Sequence, residues 1–434
     1  MTPVSTVGLL LHLWLGLCLC IAAAPFEFEF NEVQLSPTHE AQVVQWRASN
    51  ASLVFASSVV KQPVYVSIAT IRSRIARVHR TITSIFEGPL VPDRVFLFIS
   101  REAFLLDAGV QPEDIPAELA ALVTQRHWPV SIVYTQNLGS HRKLLPLLAR
   151  KWDEDCAIAT FDDEPKDEGK LQQYLQQLVR YYLASGREAV VSLKARRLGV
   201  CRAPPYSVRN YGYWTVATHG RKELLLLPTG TGSVLYRPRF FHPVVFDPVL
   251  RNLTHTADDL MFRLATLARG VRVVTGCREE HIKDKQGGMT VVPCPAVAQV
   301  FGPDGDPGLW NASLPQPQLL FSSSFSTTVA AASARPLHHR RLQSLSQLNL
   351  HKQGNDRAWR NATAYLLTRG LLNLTSLALG ALPHERGRAC DPLLWEQQPL
   401  RKRTDELGRR LLKQRRECAL TFCRSQVPTA ASVT

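Results

Sequence analysis

The apolar run Cys156–Phe161 ends in three consecutive carboxylates, Asp162, Asp163 and Glu164. Side by side at a strand end they repel one another, and a divalent cation relieves that repulsion. Hard cations such as Mg²⁺ and Mn²⁺ take oxygen ligands and commonly share them with substrate phosphates. The plainer alternative is a solvated acidic turn ahead of the next helix, where acids suit the N-terminus. A second acidic pair, Asp258-Asp259, opens another apolar-periodic stretch. It suits a helix start, and it also has the chemistry of a general base. Lys143, in His141-Arg142-Lys143, offers a cation for phosphate or is an ordinary solvated helix charge. Gly230 and Gly232, in Thr229-Gly-Thr-Gly-Ser233, make a hairpin turn or let the backbone pass close to a ligand.

These residues need elements to hold them. From residue 63 the chain alternates short β-rich runs with helical patterns. Strands are expected over Pro63–Ala69, Arg94–Ile99, Val130–Tyr134, Cys156–Phe161 and Val190–Leu193. Apolar spacing predicts helices over Arg74–Phe86, Pro112–Arg126, His141–Trp152 and Asp167–Ala184. That order implies an α/β fold, a mostly parallel sheet with helices on both faces. Ligand loops then lie at the C-terminal ends of the strands, starting at Thr70, Ser100, Thr135 and Asp162.

Five segments in this order are similar to a known pattern: Thr70-Ile-Arg-Ser-Arg74, Gly139-Ser-His-Arg-Lys143-Leu-Leu-Pro146, Asp162-Asp-Glu164, the glycines before Leu235-Tyr236, and Ala257-Asp-Asp259. Over residues 63–280 the chain resembles nucleotide-sugar glycosyltransferases of the GT-A fold, family 2-like. The resemblance implies a GT-A (Rossmann-like) sheet over 61–290. It implies a nucleoside-diphosphate sugar as donor, a carbohydrate or glycoconjugate as acceptor, and Mn²⁺ or Mg²⁺ as metal. It assigns donor binding to Thr70, Arg74, Lys143, Asp162, Asp163, Gly230 and Gly232. It assigns the metal to Asp162, Glu164 and His281, and the base to Asp259 or its neighbour Asp258. Glu164 departs from the family pattern, which has Asp at that place. The departure motivates a second possibility, a decayed GT-A fold serving as a carbohydrate-binding or scaffold module. Asn355-Asp356 before Trp359 is similar to a late Asn-Asp of the same family.

Five of the ten Asn sit in Asn-x-Ser/Thr acceptors: Asn50, Asn252, Asn311, Asn361 and Asn373. That excess points to export. Residues 1–24 carry an apolar run, Val7–Ala24, that fits either a cleaved signal peptide or a type II signal anchor. The expected compartment is the Golgi or ER lumen, or the outside. Behind the leader come a stem over 25–60, a Pro/Gly/Ser linker over 291–336, and a helical Arg-rich region over 337–434. The net charge of +15, with 51 Lys+Arg against 36 Asp+Glu, suits phosphorylated ligands. Nucleic acid is not expected, because the Arg are scattered and no nucleic-acid module appears. A two-metal nuclease or phosphatase would need more converging acids and His than the loops supply. Seven Cys follow the leader, and spacing allows Cys277–Cys294 and Cys418–Cys423 bridges without fixing either.

Overall fold

The computed structural model describes residues 27–163, 169–199, 211, 214–217, 219–277, 280–283, 289–292 and 352–373. Its main elements, in chain order, are β1 (Asn31–Glu32), β2 (Val64–Ala69), α1 (Val78–Phe86), β3 (Arg94–Ile99), β4 (Val130–Tyr134) and α2 (Leu145–Arg150). Then come β5 (Ala157–Asp162), α3 (Leu171–Ala184), β6 (Val190–Ser192), β7 (Lys222–Glu223) and β8 (Val234–Tyr236). The series closes with α4 (Pro248–Thr254), α5 (Asp258–Ala268), β9 (Val273–Thr275) and α6 (Lys352–Thr368).

Among the described residues, the nine strands form one mixed sheet in the order β1-β4-β3-β2-β5-β8-β6-β9-β7. The run β4-β3-β2-β5 is parallel, with Ser67 opposite both Phe96 and Thr160. β8 runs antiparallel between β5 and β6, and β9 lies parallel to β6. β1 and β7 add antiparallel edges. The architecture is α/β and Rossmann-like, a mostly parallel mixed sheet flanked by helices.

The central strands are continuous apolar runs because both of their faces are covered. In β3, Val95, Leu97, Phe98 and Ile99 are all fully buried. α1 presents Val78, Ile82, Ile85 and Phe86 to the core and packs on α3, which buries Leu171, Leu175, Leu178 and Val179. The expected strands stand within a residue or two of their predicted bounds. The helices are shorter. The stretch Pro112–Arg126 splits into a 3₁₀ turn at Pro112–Asp114 and a helix over Ala117–Thr124. Pro116 causes the break: it disfavours helical backbone at Ile115, which is extended at φ −72°, ψ 114°. The stretch His141–Trp152 likewise divides into a 3₁₀ turn, Gly139–Lys143, and α2.

Two segments outside the alternating core join it. Residues 27–60, expected as a stem, contribute β1 and the helix His39–Ser49. The C-terminal helix α6 seats on α4 and α5, burying Trp359, Ala362 and Leu366. Its polar anchor is Asp247, the N-cap of α4, which accepts from Tyr365 Oη at 2.5 Å and Arg369 Nη1 at 3.1 Å. The linker 291–336 lies outside the described residues apart from Val291 and Val292. The leader is outside them too, and no described helix is long and apolar enough to cross a membrane.

Candidate functional site

Three elements deliver charged groups to one place at the C-terminal edge of the sheet. Gly139, at φ +59°, opens the 3₁₀ turn that ends in Lys143. Ser67 Oγ of β2 donates to the Lys143 carbonyl and pins that turn to the central strand. Asp162 is the last residue of β5, and Asp258 and Asp259 begin α5, where the helix N-terminus favours carboxylates. The Lys143 ammonium then stands 2.7 Å from Asp258 Oδ2, 3.5 Å from Asp162 Oδ1 and 3.9 Å from Asp259 Oδ1.

The Gly230–Gly232 turn closes the fourth side. Gly230 N–H donates to Asp259 Oδ1 at 2.9 Å. A Cβ at position 230 would lie 2.3 Å from Lys143 Nζ and 3.0 Å from Asp259 Oδ1. The glycine thus leaves room for this close approach, and a side chain there would shift the ammonium tip.

The charges respond unequally. Burial opposes the Lys143 charge, yet Asp258, Asp162 and Asp259 outweigh it and hold its pKa well above the usual value. Burial also pushes Asp258 up, but the ammonium at 2.7 Å wins and keeps it below the usual carboxylate range. Asp259 sits farther from the ammonium. Burial, then the Asp258 charge, push it up to about 7, with Lys143 and the Gly230 N–H opposing. Two adjacent carboxylates thus have their pKa values driven apart, the pattern that separates an ionised group from a proton acceptor working near neutrality. Tyr236 of β8, fully buried, is held well above the usual phenol range by burial and by the Asp259 charge. His141 is also fully buried; burial lowers its pKa to about 4, and it packs edge-on to Phe262 as a neutral core residue.

Next to this cluster, Asp163 is fully engaged. Its Oδ2 accepts from Thr70 Oγ1 at 2.6 Å and its Oδ1 from Arg74 Nη1 at 2.6 Å. Thr70, Arg74 and Asp163 are thus assembled by these two hydrogen bonds. Behind them lies a hub that the sequence does not announce. Asp107 and Arg142 form a buried ion pair at 2.9 Å. Asp107 also accepts from the backbone N–H of Arg72 and Gly109, both at 3.1 Å, and from Asn137 Nδ2 at 3.3 Å. Arg142 donates to the Thr70 carbonyl at 2.7 Å. One carboxylate therefore ties together the loops after β2, β3 and β4. Its only sequence signal is an ordinary Asp-Ala-Gly turn.

A third group comes from far along the chain. Tyr211 N–H donates to Asp356 Oδ1 of α6, and the Arg196 guanidinium lies 5.2 Å over the Tyr211 ring. Trp214 sits 5.0 Å from both Tyr211 and Trp359. Burial pushes the Tyr211 phenol up, the Arg196 charge opposes this, and the Asp259 charge adds to the rise. Asn355-Asp356 thereby acquires a place, as the support of Tyr211.

Other candidates fall differently. Glu164 lies outside the described residues. His281 is on the strand Glu280–Lys283, opposite Val291, and its side chain is not described. Among the described residues, no three His, Cys, Asp or Glu are grouped to hold a metal ion. Asn252, Asn361 and Asn373 are exposed, whereas Asn50 is half-buried and donates to the Trp46 carbonyl. Asn311 lies outside the described residues. Cys277 is in a disulfide whose partner is not among the described residues, and Cys156 is a buried thiol. The chain matches no protein-family model and no curated protein.

Proposed function

We propose that the chain is a GT-A-type glycosyltransferase of the secretory pathway, moving a sugar from a nucleoside-diphosphate donor to a hydroxyl acceptor. One observation carries this: Lys143, Asp162, Asp258, Asp259 and Gly230 converge at the strand ends, with Asp259 poised near neutral pH. Transfer needs a neutralised leaving group, a proton acceptor and fixed geometry. Arg74 and Lys143 supply cations for the diphosphate. Thr70 and Asp162 line the donor side. Asp259 takes the proton as the acceptor oxygen bonds to the anomeric carbon and the bond to the diphosphate breaks, its electron pair leaving on the phosphate oxygen. This chemistry inverts the anomeric centre.

A divalent cation, Mn²⁺ or Mg²⁺, would add charge neutralisation at the diphosphate. Asp162 fits that role, being a partly exposed carboxylate at the sheet edge, and Glu164 and His281 would complete the set. Asp163 is less available, since each of its oxygens already accepts a hydrogen bond, from Thr70 and from Arg74. Glu164, in place of the family's Asp, supports the second reading, a decayed fold that binds carbohydrate or acts as a scaffold.

The test is thermal shift of the full chain, purified from secretory cells, with UDP and GDP, each with and without Mn²⁺. A ligand at 100 times its Kd adds about 2.7 kcal/mol to the native state. A Mn²⁺-dependent rise in Tm that disappears in Asp162→Ala and Glu164→Ala is the expected result. Folded protein that responds to no nucleoside diphosphate would favour the binding-only reading.

A further inference from the structure

The loop after β3 exposes what its surroundings bury. Phe104 and Asp107 exchange backbone hydrogen bonds at 2.9 and 3.0 Å, closing a tight turn with Leu105 at φ +55°. The turn sends Asp107 down into its buried hub and leaves Phe104 and Leu105 38% and 44% exposed. Phe104 is not adrift. Its ring stacks on His255 at 6.2 Å between centroids, with the planes 22° apart. A Cβ on Gly139 would meet the same ring at 3.1 Å, so Phe104 also lies close over the start of the Lys143 turn. His255 is exposed and has φ +41°. Two non-glycine residues in left-handed backbone thus flank one aromatic face, and such strain persists where the surroundings over-determine it.

Both supports of this face lead to the acidic pair. Gly139 begins the turn that ends in Lys143, and His255 precedes Asp258 by three residues. Ser140 Oγ donates to the Thr256 carbonyl at 3.3 Å and ties the two segments together. A flat, exposed aromatic ring beside an imidazole suits a pyranose: the ring face takes the sugar's axial C–H groups and the imidazole nitrogens meet its hydroxyls.

We infer that Phe104 and His255 form the stacking platform for a pyranose ring of the acceptor. This rests on the transferase reading for the word acceptor. The donor side is spoken for by Thr70, Arg74, Lys143 and Asp162; the platform stands beside it, with Gly139 leading to Lys143 and His255 to the helix start that carries Asp259, the group that meets the acceptor hydroxyl.

The experiment uses the full chain and three variants, Phe104→Ala, Phe104→Trp and His255→Ala. Saturation-transfer NMR, irradiating aromatic protons, is run with methyl β-galactopyranoside, methyl β-glucopyranoside, methyl α-mannopyranoside and methyl β-xylopyranoside, in the presence of UDP or GDP and Mn²⁺. Nucleotide thermal shift is measured on the same proteins. The expected result is transfer to at least one glycoside that falls fivefold or more in Phe104→Ala, falls in His255→Ala and survives in Phe104→Trp. The nucleotide shift stays unchanged throughout. Equal transfer in the parent and Phe104→Ala overturns the platform, as does transfer to none of the four in the parent. Loss of the nucleotide shift in Phe104→Ala overturns it too, by making the ring a support for the nucleobase. If the parent shows Phe104-dependent transfer but no nucleotide shift, the platform stands as a carbohydrate site and the transferase reading fails.

Discussion

Asp258 and Asp259 are neighbours in sequence with opposite electrostatic fates. Asp258 takes the 2.7 Å contact with Lys143, and Asp259 is left with burial and a like charge. For Asp259 the folded pKa of about 7 exceeds the unfolded value of about 4. A raised acid binds its proton more tightly in the fold, so its stabilising contribution is full below about pH 4 and is lost as pH rises to about 7. Asp259→Asn, which stays neutral, is therefore expected to gain Tm relative to the parent between pH 5 and pH 8. A Tm difference that stays constant over that range would place the Asp259 pKa at its ordinary value. At this scale the sequence was informative where a residue is chemically conspicuous: Lys143, Asp162, Asp258, Asp259 and Gly230 do meet, while Asp163 meets Thr70 and Arg74 instead. Burial, distance and the division of labour within the acidic pair depend on packing, which no local pattern encodes.

The elements were legible in proportion to their burial. β2 to β5 announce themselves as apolar runs because water reaches neither face, but helix ends depend on single residues such as Pro116 and Gly139. The loops between them are held by Asp107, an unremarkable residue whose importance comes only from the three strand ends that converge on it. Removing one partner of a buried ion pair leaves the other uncompensated and costs about 3–5 kcal/mol. Asp107→Asn is therefore expected to destabilise the fold by that order, read as a lower urea midpoint, and adding Arg142→Met should restore part of the loss. If Asp107→Asn unfolds at the parent's midpoint, the hub does not hold the loops.

For the whole molecule, the α/β class followed from the alternation of strands and helices, whereas the seat of α6 did not. Helical patterning resumes after residue 336, but nothing local says that Trp359 lands on Trp214, or Asp356 on Tyr211. Trp359 is 3% exposed, and replacing a buried Trp by Ala typically costs about 3–5 kcal/mol. Trp359→Ala is expected to destabilise the whole domain in one cooperative transition, followed by near-UV circular dichroism. A separate early transition would mean that α6 is an independent appendage. The sheet order carries a further consequence for how the chain is made. β8 sits between β5 and β6, although both are synthesised before it. The parallel run β4-β3-β2-β5 can pair once residue 162 has emerged from the ribosome, but among the described residues β6 has no neighbour until residues 234–236, and then 273–275, arrive. During synthesis the Val190–Ser192 strand therefore waits, apolar and with both edges open, for about 40 residues of chain, or several seconds at bacterial to eukaryotic elongation rates. That interval is when nascent-chain chaperones have an open strand to bind.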